Sequence, residues 1–229
     1  MSNELKVLIV GQGLSGTLLS WHLIKNGVKV IVADDHAPNA ASRVAGGLIN
    51  PITGKRLVKT WMIDDLLPEA ITTYKQLEAE LCIDILTETT IVDFQRTREE
   101  ANIFNEKQPL LSELRSVGEE GEGWYEYFHP QMGLGYIHPA AHVDGGTLTQ
   151  AWRKHLDDAS QLWTGSVHYK DISVGDDGIQ VNGEWFSHVI FCEGQRAAEN
   201  PWFYQLPWSV DKGEALIAHI PDLPRTHIY

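Results

Sequence analysis

A glycine-rich turn near the start of the chain most constrains the possible fold. The apolar, β-branched run Lys6–Val10 predicts a buried strand, and it leads directly into the segment GQGLSG. A helical pattern follows over Leu14–Asn26, and Val28–Ala33 predicts a second buried strand. These segments predict a β-α-β unit with parallel strands, so this end of the chain should form an α/β layer.

Each glycine of the turn has a separate physical role in a dinucleotide site. Gly11 allows a sharp turn from strand to helix, Gly13 lets a pyrophosphate approach the backbone, and Gly16 lets helix and strand pack closely. Asp34 ends the second strand 18 residues after Gly16, where its carboxylate can accept hydrogen bonds from ribose hydroxyls. An acid at this position disfavours the 2′-phosphate of NADP. The alternative is a turn whose glycines serve packing alone.

The order of the later segments favours FAD over NAD. A nicotinamide enzyme would continue with further β-α-β units, whereas here a long irregular loop over residues 36–56 follows Asp34. A long helix is then predicted over Lys59–Glu80, and the parallel pattern resumes only with the helix Gly146–Leu156 and the strand Ser187–Phe191. Between these segments, two antiparallel strands are predicted around the turn at residues 133–135. Further elements are expected at Thr89–Phe94 (strand), Thr97–Glu106 (helix), Val167–Val174, Gly178–Val181 and Glu184–Phe186 (a meander), and Glu214–Ile220 (strand).

Composition excludes some partners. The chain has 229 residues, with 18 Lys and Arg against 31 Asp and Glu, and a net charge of −13. This charge disfavours binding of nucleic acid, whose phosphates it would repel. No apolar run is long enough to span a membrane, and the start lacks the pattern of a secretory signal.

Cys82 and Cys192 are expected to be buried free thiols in a reducing, cytoplasmic compartment, and no metal site is expected.

Five segments resemble the FAD-dependent D-amino-acid oxidase and glycine oxidase family. They are VLIVGQGLSG with VKVIVADD, AASRVAGGLINP, HVDGGTLTQAWRKH, HVIFCEGQRA and LPWSVDKGEAL. The resemblance implies a Rossmann-like FAD-binding domain with a parallel sheet, interrupted by a smaller antiparallel-sheet substrate domain. It implies domain boundaries at 1–84 with 142–205 for FAD binding, and at 85–141 with 206–229 for a partial substrate domain. The chain departs from the family pattern at Cys192-Glu193-Gly194, where Ala-Ala-Gly is more usual.

The residues proposed to bind FAD lie in the turn, at the end of the second strand, in the following loop and in two later turns. They are Gly11, Gly13, Leu14, Ser15, Gly16, Asp34, Asp35, Ser42, Arg43, Gly46, Gly47, Val167, Glu193 and Gly194. Arg43 suits a phosphate because its planar guanidinium offers paired hydrogen-bond donors. The alternative is an arginine that is solvated and binds nothing. Val167 is included through the resemblance alone, as a backbone contact to adenine. Lys55 and Arg56 either bind an anionic substrate group or are surface cations on a turn.

The resemblance implies an enzyme that oxidises an amine or amino acid by hydride transfer to the flavin, with no side chain assigned as catalytic. The alternatives are an FAD-dependent dehydrogenase of a hydroxy compound, or a truncated, non-catalytic nucleotide-binding fragment. The family's C-terminal glycine-rich segment is not found before Tyr229, and the last residues read as the beginning of a returning hairpin strand. We therefore expect a truncated form, or a partner that supplies the rest. A small-molecule substrate and a homo-oligomer are also expected.

Overall fold

The computed structural model describes residues 5–54, 56–111, 115–117, 126–128, 132–214, 216 and 218–229, with the backbone alone for 115–117. In chain order its elements are β1 (Lys6–Val10), α1 (Leu14–Lys25), β2 (Lys29–Asp34), α2 (Ala41–Val44), β3 (Leu48–Ile49), β4 (Ile52–Thr53), β5 (Val58–Lys59), α3 (Ile63–Leu81), β6 (Leu86–Phe94), α4 (Arg98–Lys107), β7 (Arg115–Val117), β8 (Leu134–Val143), α5 (Gly145–Asp158), β9 (Leu162–Thr164), β10 (Ile172–Gly175), β11 (Gly178–Val181), β12 (Glu184–Phe186), β13 (His188–Phe191) and β14 (His227–Ile228). Short 3₁₀ helices lie at Gln108–Leu110, Tyr169–Asp171 and Gly194–Glu199.

The chain forms two compact units. One comprises Met1–Ala45 and Gly145–Ala215, and the other comprises Gly46–Asp144 and Leu216–Tyr229. Residues 46–84, which the sequence assigns to the FAD-binding part, group with the second unit because β3 pairs with β8 there.

The first unit is built on a parallel sheet of four strands in the order β13-β1-β2-β9. β1 lies in the middle and pairs with β2 on one side, Val7 beside Val30, and with β13 on the other, Val7 beside His188. The chain crosses from one side of β1 to the other between β2 and β13. Ligands of open α/β sheets bind at such a switch point, outside the carboxyl ends of the strands.

Both faces of this sheet are covered. Leu8 and Val10 pack with Ala33, Val181 and Phe186 in one apolar cluster, so the antiparallel meander β10-β11-β12 lies against that face. Side chains alternate along a strand, so the equally buried residues at positions 7 and 9 point to the opposite face. Helix α1 contacts β1, β2 and α5. A buried hydrogen bond joins α1 and α5: the indole N–H of Trp152 donates to the hydroxyl of Ser20 at 2.7 Å.

The second unit contains a mostly antiparallel sheet in the order β14-β6-β8-β3, with β7 also paired to β8. Its long pair β6–β8 changes register between Thr89 and Ile91, where His138 and Pro139 of β8 lie opposite. A bulge at this point accommodates a proline, which has no backbone N–H to donate. Helix α3 ends beside β6, and the carboxylate of Glu78 accepts hydrogen bonds from two backbone N–H groups that lead into that strand.

The predicted fold class is confirmed, since the structure contains a parallel sheet and separate antiparallel sheets. The first strand, first helix and meander also form close to their predicted bounds, and Gly27 ends α1 with a positive φ of 77°. Val167, predicted to begin a strand, instead lies in the loop before β10. The strand predicted over Glu214–Ile220 is wrong for the described residues of that stretch, and the returning residues form β14 in parallel with β6 instead. Short β9 was not predicted.

The antiparallel pair predicted around residues 133–135 is only partly described. Its second strand is β8, which begins at Leu134 and runs on to Val143. Most of the predicted first strand lies outside the described residues. The two cysteines are free, but the expectation that both are buried is wrong: Cys82 is exposed at the C-terminal end of α3, and Cys192 is partly buried.

Candidate functional site

The turn between β1 and α1 needs a glycine at its first position. Gly11 has a φ of 101°, and its N–H donates to the carbonyl of Ala33 at 2.8 Å. A Cβ at this position would lie 2.3 Å from the carbonyl oxygen of Cys192, which follows β13. The backbone therefore passes from β1 to α1 between the ends of its two neighbouring strands, with no space for a side chain.

The other two glycines set the position of α1. A Cβ at Gly16 would lie 1.9 Å from the carbonyl oxygen of Gly11, so only glycine allows the first helical turn to approach the strand end this closely. A Cβ at Gly13 would meet the hydroxyl of Ser42 at 3.0 Å. That hydroxyl accepts a hydrogen bond of 2.8 Å from the N–H of Leu14, one of the N–H groups that helix α1 leaves without an intrahelical partner.

Asp34 is anchored at the carboxyl end of β2. Its Oδ2 accepts the N–H of Gln12, in the glycine turn, at 2.9 Å, and its Oδ1 accepts the N–H of His36 at 2.8 Å. Arg153 of α5 donates to Oδ1 at 2.8 Å, and Arg43 of α2 lies 3.7 Å from the same oxygen. The glycine turn and the acid predicted to act with it are thus directly bonded.

A second acidic side chain holds two loops together. Asp35 accepts hydrogen bonds from Arg196, at 2.6 Å, and from Ser166, at 3.2 Å. The bond to Arg196 is the main cause that holds the pKa of Asp35 below its usual value. Because Ser166 follows β9 and Arg196 follows β13, this carboxylate joins the chain segments beyond three parallel strands.

The acid of the Cys-Glu-Gly turn has polar partners of its own. The carboxylate of Glu193 accepts the hydroxyl of Tyr169 at 2.9 Å and the side-chain amide of Asn200 at 2.9 Å. Burial, and then the bond to Glu193, raises the pKa of Tyr169 to about 12. Gly194 follows with a φ of 58°, and Val167 packs partly buried against the apolar cluster of the sheet.

The structure brings the predicted FAD-binding residues of the first unit together at one edge of the parallel sheet. Ser15, beside them in the first turn of α1, is exposed. Arg43 does not point free into solvent: one guanidinium nitrogen donates to the carbonyl of Ala37 at 2.7 Å. Arg153 and Arg196 were missed by sequence reasoning, and their charge was the only available signal.

The remaining predicted residues lie in the second unit. Gly47 has a φ of 60°, and its carbonyl accepts the N–H of Val143 at 2.9 Å, while Gly46 is exposed. Lys55 lies outside the described residues. Arg56 is exposed and lines an open cavity with the apolar side chains around Leu110.

Comparison with known proteins adds the family. A family model described as FAD dependent oxidoreductase (DAO) matches residues 6–226. The chain belongs to this family. FAD is therefore its cofactor, as the resemblance implied.

Solved structures share the fold at low sequence identity. Glycine oxidase from Geobacillus kaustophilus has a TM-score of 0.71 at 20% identity, and the match covers 86% of this chain and 57% of that one. L-proline dehydrogenase from P. horikoshii has a TM-score of 0.65 at 12% identity, covering 92% and 58%. L-amino acid deaminase from Proteus myxofaciens has a TM-score of 0.63 at 15% identity, covering 83% and 46%. The chain thus spans about half the length of these structures.

The residues present fit FAD. The close approach at Gly13 is of the kind that a pyrophosphate requires, and the hydroxyl of Ser42 still has a proton to donate to an anion there. Asp34 retains acceptor capacity beside the turn. In the part of the chain that the structure describes, no helix is long and apolar enough to cross a bilayer. The same residues contain no cluster of three His, Cys, Asp or Glu side chains arranged to hold a metal ion.

Proposed function

We propose that this chain is the FAD-binding part of an enzyme that oxidises a small amine or amino acid. The observation that carries the proposal is the glycine turn bonded to Asp34 at the carboxyl edge of the parallel sheet, in a chain of the FAD dependent oxidoreductase family. Bound FAD would accept a hydride from the substrate carbon, and loss of an amine proton to solvent would leave an imine that water hydrolyses. Oxygen or another acceptor would then reoxidise the flavin.

Each proposed binding residue has a defined task. The N–H groups at the start of α1 and the hydroxyl of Ser42 bind the pyrophosphate, and Asp34 binds the adenosine ribose. The partners of Glu193 hold its negative charge in hydrogen bonds rather than leaving it free beside the phosphates. Gly46 and Gly47 are proposed to let backbone approach the flavin ring, and Gly194 to let the turn after β13 do so.

The substrate class is supported by the structural neighbours. These neighbours include glycine oxidase, L-amino acid deaminase, iminodiacetate oxidase and L-proline dehydrogenase, whose names all specify amino or imino compounds. Lys55 and Arg56 are proposed to attract the carboxylate of such a substrate. A small-molecule substrate, no nucleic-acid partner and a cytoplasmic location complete the proposal, and a homo-oligomer is a further expectation for sedimentation to test.

The test begins with the cofactor. The purified chain is mixed with FAD, passed through gel filtration and examined for flavin absorbance at about 370 and 450 nm. We expect the wild type to retain flavin and Gly13→Ala to lose it, because the added Cβ occupies the approach beside Ser42. Gly213→Ala is the matched control, since a Cβ there meets no atom of the described residues within 4 Å. A wild type that stays colourless would contradict FAD retention by this chain.

The substrate class is tested on the same holoprotein. Anaerobic bleaching of the flavin band is followed with a panel of amines, amino acids and 2-hydroxy acids. Bleaching by amines or amino acids supports the proposal, and bleaching by hydroxy acids alone replaces it with a dehydrogenase of hydroxy compounds. Retained flavin that no compound of the panel bleaches would indicate a nucleotide-binding fragment without turnover.

A further inference from the structure

The carboxylate of Asp34 is almost fully engaged. It can accept about four hydrogen bonds, two on each oxygen. Among the described residues, Oδ1 accepts two, from the N–H of His36 and from Arg153, while Oδ2 accepts one, from the N–H of Gln12. One acceptor position therefore remains, on the oxygen that already faces the glycine turn.

Arg153 is the side chain that holds this arrangement from a distance in sequence. It lies on α5, 119 residues from Asp34, and donates Nη1 to Oδ1 at 2.8 Å and Nη2 to the backbone carbonyl of Asp34 at 3.5 Å. Both side chains are mostly buried, with 14% and 13% of their surfaces exposed. A planar guanidinium that contacts both the carboxylate and the backbone carbonyl of Asp34 restricts rotation of the carboxyl group.

Arg43 does not provide the same restraint. Its Nη2 is 3.7 Å from Oδ1 of Asp34, beyond hydrogen-bond distance, and its Nη1 is engaged by the carbonyl of Ala37 at 2.7 Å. It contributes charge beside Asp34, whereas Arg153 contributes charge and a directed bond.

We propose that Arg153 is a positioning residue that fixes the Asp34 carboxylate so that Oδ2 accepts a hydroxyl of the adenosine ribose. The inference rests on the proposed function, which assigns that ribose to Asp34. Loss of the guanidinium frees the carboxylate to turn, so the ribose hydroxyl no longer meets an oriented acceptor. The expected consequence is lost discrimination between ribose and deoxyribose, beyond a general loss of nucleotide affinity.

The experiment measures dissociation constants by calorimetry for ADP, 2′-deoxy-ADP and 3′-deoxy-ADP, which carry the adenosine half of the cofactor without the flavin. Wild type should bind ADP about tenfold or more tightly than at least one deoxy analogue, since a hydrogen bond to a charged group is lost. Arg153→Met should bring that ratio close to one. Arg153→Lys keeps the charge but loses the fork, and should also lower the ratio, which separates orientation from attraction.

Lys154→Met is the matched control. It removes one positive charge from the next residue of α5, where an exposed lysine pairs with Asp158 at 2.6 Å, and it should keep the wild-type ratio. Circular dichroism checks that each variant is folded, and Arg153→Lys carries the test if Arg153→Met is not.

The outcomes separate the inference from the proposed function. Wild type that binds all three nucleotides equally, or none of them, would remove Asp34 as the ribose acceptor and overturn both. Wild type that discriminates, with folded arginine variants that discriminate equally well, would leave the nucleotide site in place and overturn the positioning role. If Lys154→Met also no longer discriminates between ADP and its deoxy analogues, the effect is one of charge alone, and the positioning role of Arg153 is overturned as well.

Discussion

Gly16→Ala tests whether close packing at the glycine turn is what makes the site. Gly16 lies in the first turns of α1 and is buried, and its φ is outside the left-handed region, so alanine meets no backbone strain. Judged by helix propensity alone, the substitution would stabilise the helix by about 1 kcal/mol. The structure predicts the opposite result, because the added Cβ would lie 1.9 Å from the carbonyl oxygen of Gly11 and 3.0 Å from its carbon.

The size of the effect follows from that distance. Ordinary van der Waals contact begins at 3.4 Å, and the obstructing atoms are backbone, which cannot rotate away as a flexible side chain would. The helix must therefore move away from β1 by roughly 1.5 Å, and over-packing of this kind costs about 1–3 kcal/mol or more. After the gain of about 1 kcal/mol in propensity, we expect a net loss of up to about 2 kcal/mol in the free energy of unfolding. The free energy of FAD binding should weaken by more than the free energy of unfolding does, because the N–H groups of α1 that bind the cofactor move with the helix.

The assay combines urea unfolding with titration of FAD by quenching of flavin fluorescence. Gly213→Ala again serves as the control and should leave both quantities unchanged, as its Cβ meets no atom within 4 Å in the part of the chain that the structure describes. A Gly16→Ala protein that is as stable as wild type and binds FAD equally well would refute the steric argument. A protein that is more stable would show that propensity outweighs packing at this turn.

Three further predictions concern individual interactions. The hydrogen bond to Arg196 holds the pKa of Asp35 below its usual 3.8, so the stability it contributes is present above that pH and is lost as pH falls through the folded pKa. The difference in unfolding free energy between wild type and Asp35→Asn should therefore shrink between about pH 6 and about pH 3, and a constant difference in urea titrations would contradict this. Because the pKa of Tyr169 is raised to about 12, Tyr169→Phe should show nearly the wild-type tyrosinate absorbance at about pH 11, whereas a loss equal to one whole tyrosine would argue against it. Ser20→Ala leaves the indole N–H of Trp152 buried without its 2.7 Å partner, and should lower the unfolding free energy by about 1–3 kcal/mol in urea, against no change if the bond is dispensable.

Local pattern was sufficient to predict the elements of the parallel unit. The strand at Lys6–Val10 is apolar at every position that the sheet buries, and the helix after it ends at a glycine that adopts a positive φ. Both properties are decided by neighbours in sequence, so they can be predicted from it. The same holds for Asp34, whose separation in sequence from the glycine turn follows from the length of one helix and one strand.

Pattern failed where a distant partner decides the outcome. The sequence predicted a strand over Glu214–Ile220, but no strand forms in the described residues there, and β14 pairs with β6 instead. A strand exists only where another strand offers its hydrogen-bonding groups, and no property of the segment itself identifies that partner. Leu162–Thr164 shows the converse: three residues too short for any periodicity form a strand because β2 presents an edge beside them.

The site follows the same division. Its glycines can be predicted because backbone geometry restricts them to one residue type, while Arg153 and Arg196 act through ion pairs to residues 119 and 161 positions away, which any surface arginine could have made. What selects these two is the parallel topology, which brings the segments after β2, β9 and β13 to one edge of the sheet. Along that edge Asp34 and Asp35 face three arginines, the two above and Arg43. Glu193 lies at the same edge, so three acidic side chains balance the three arginines, and the phosphates of a dinucleotide meet less negative charge there than the net charge of −13 would suggest.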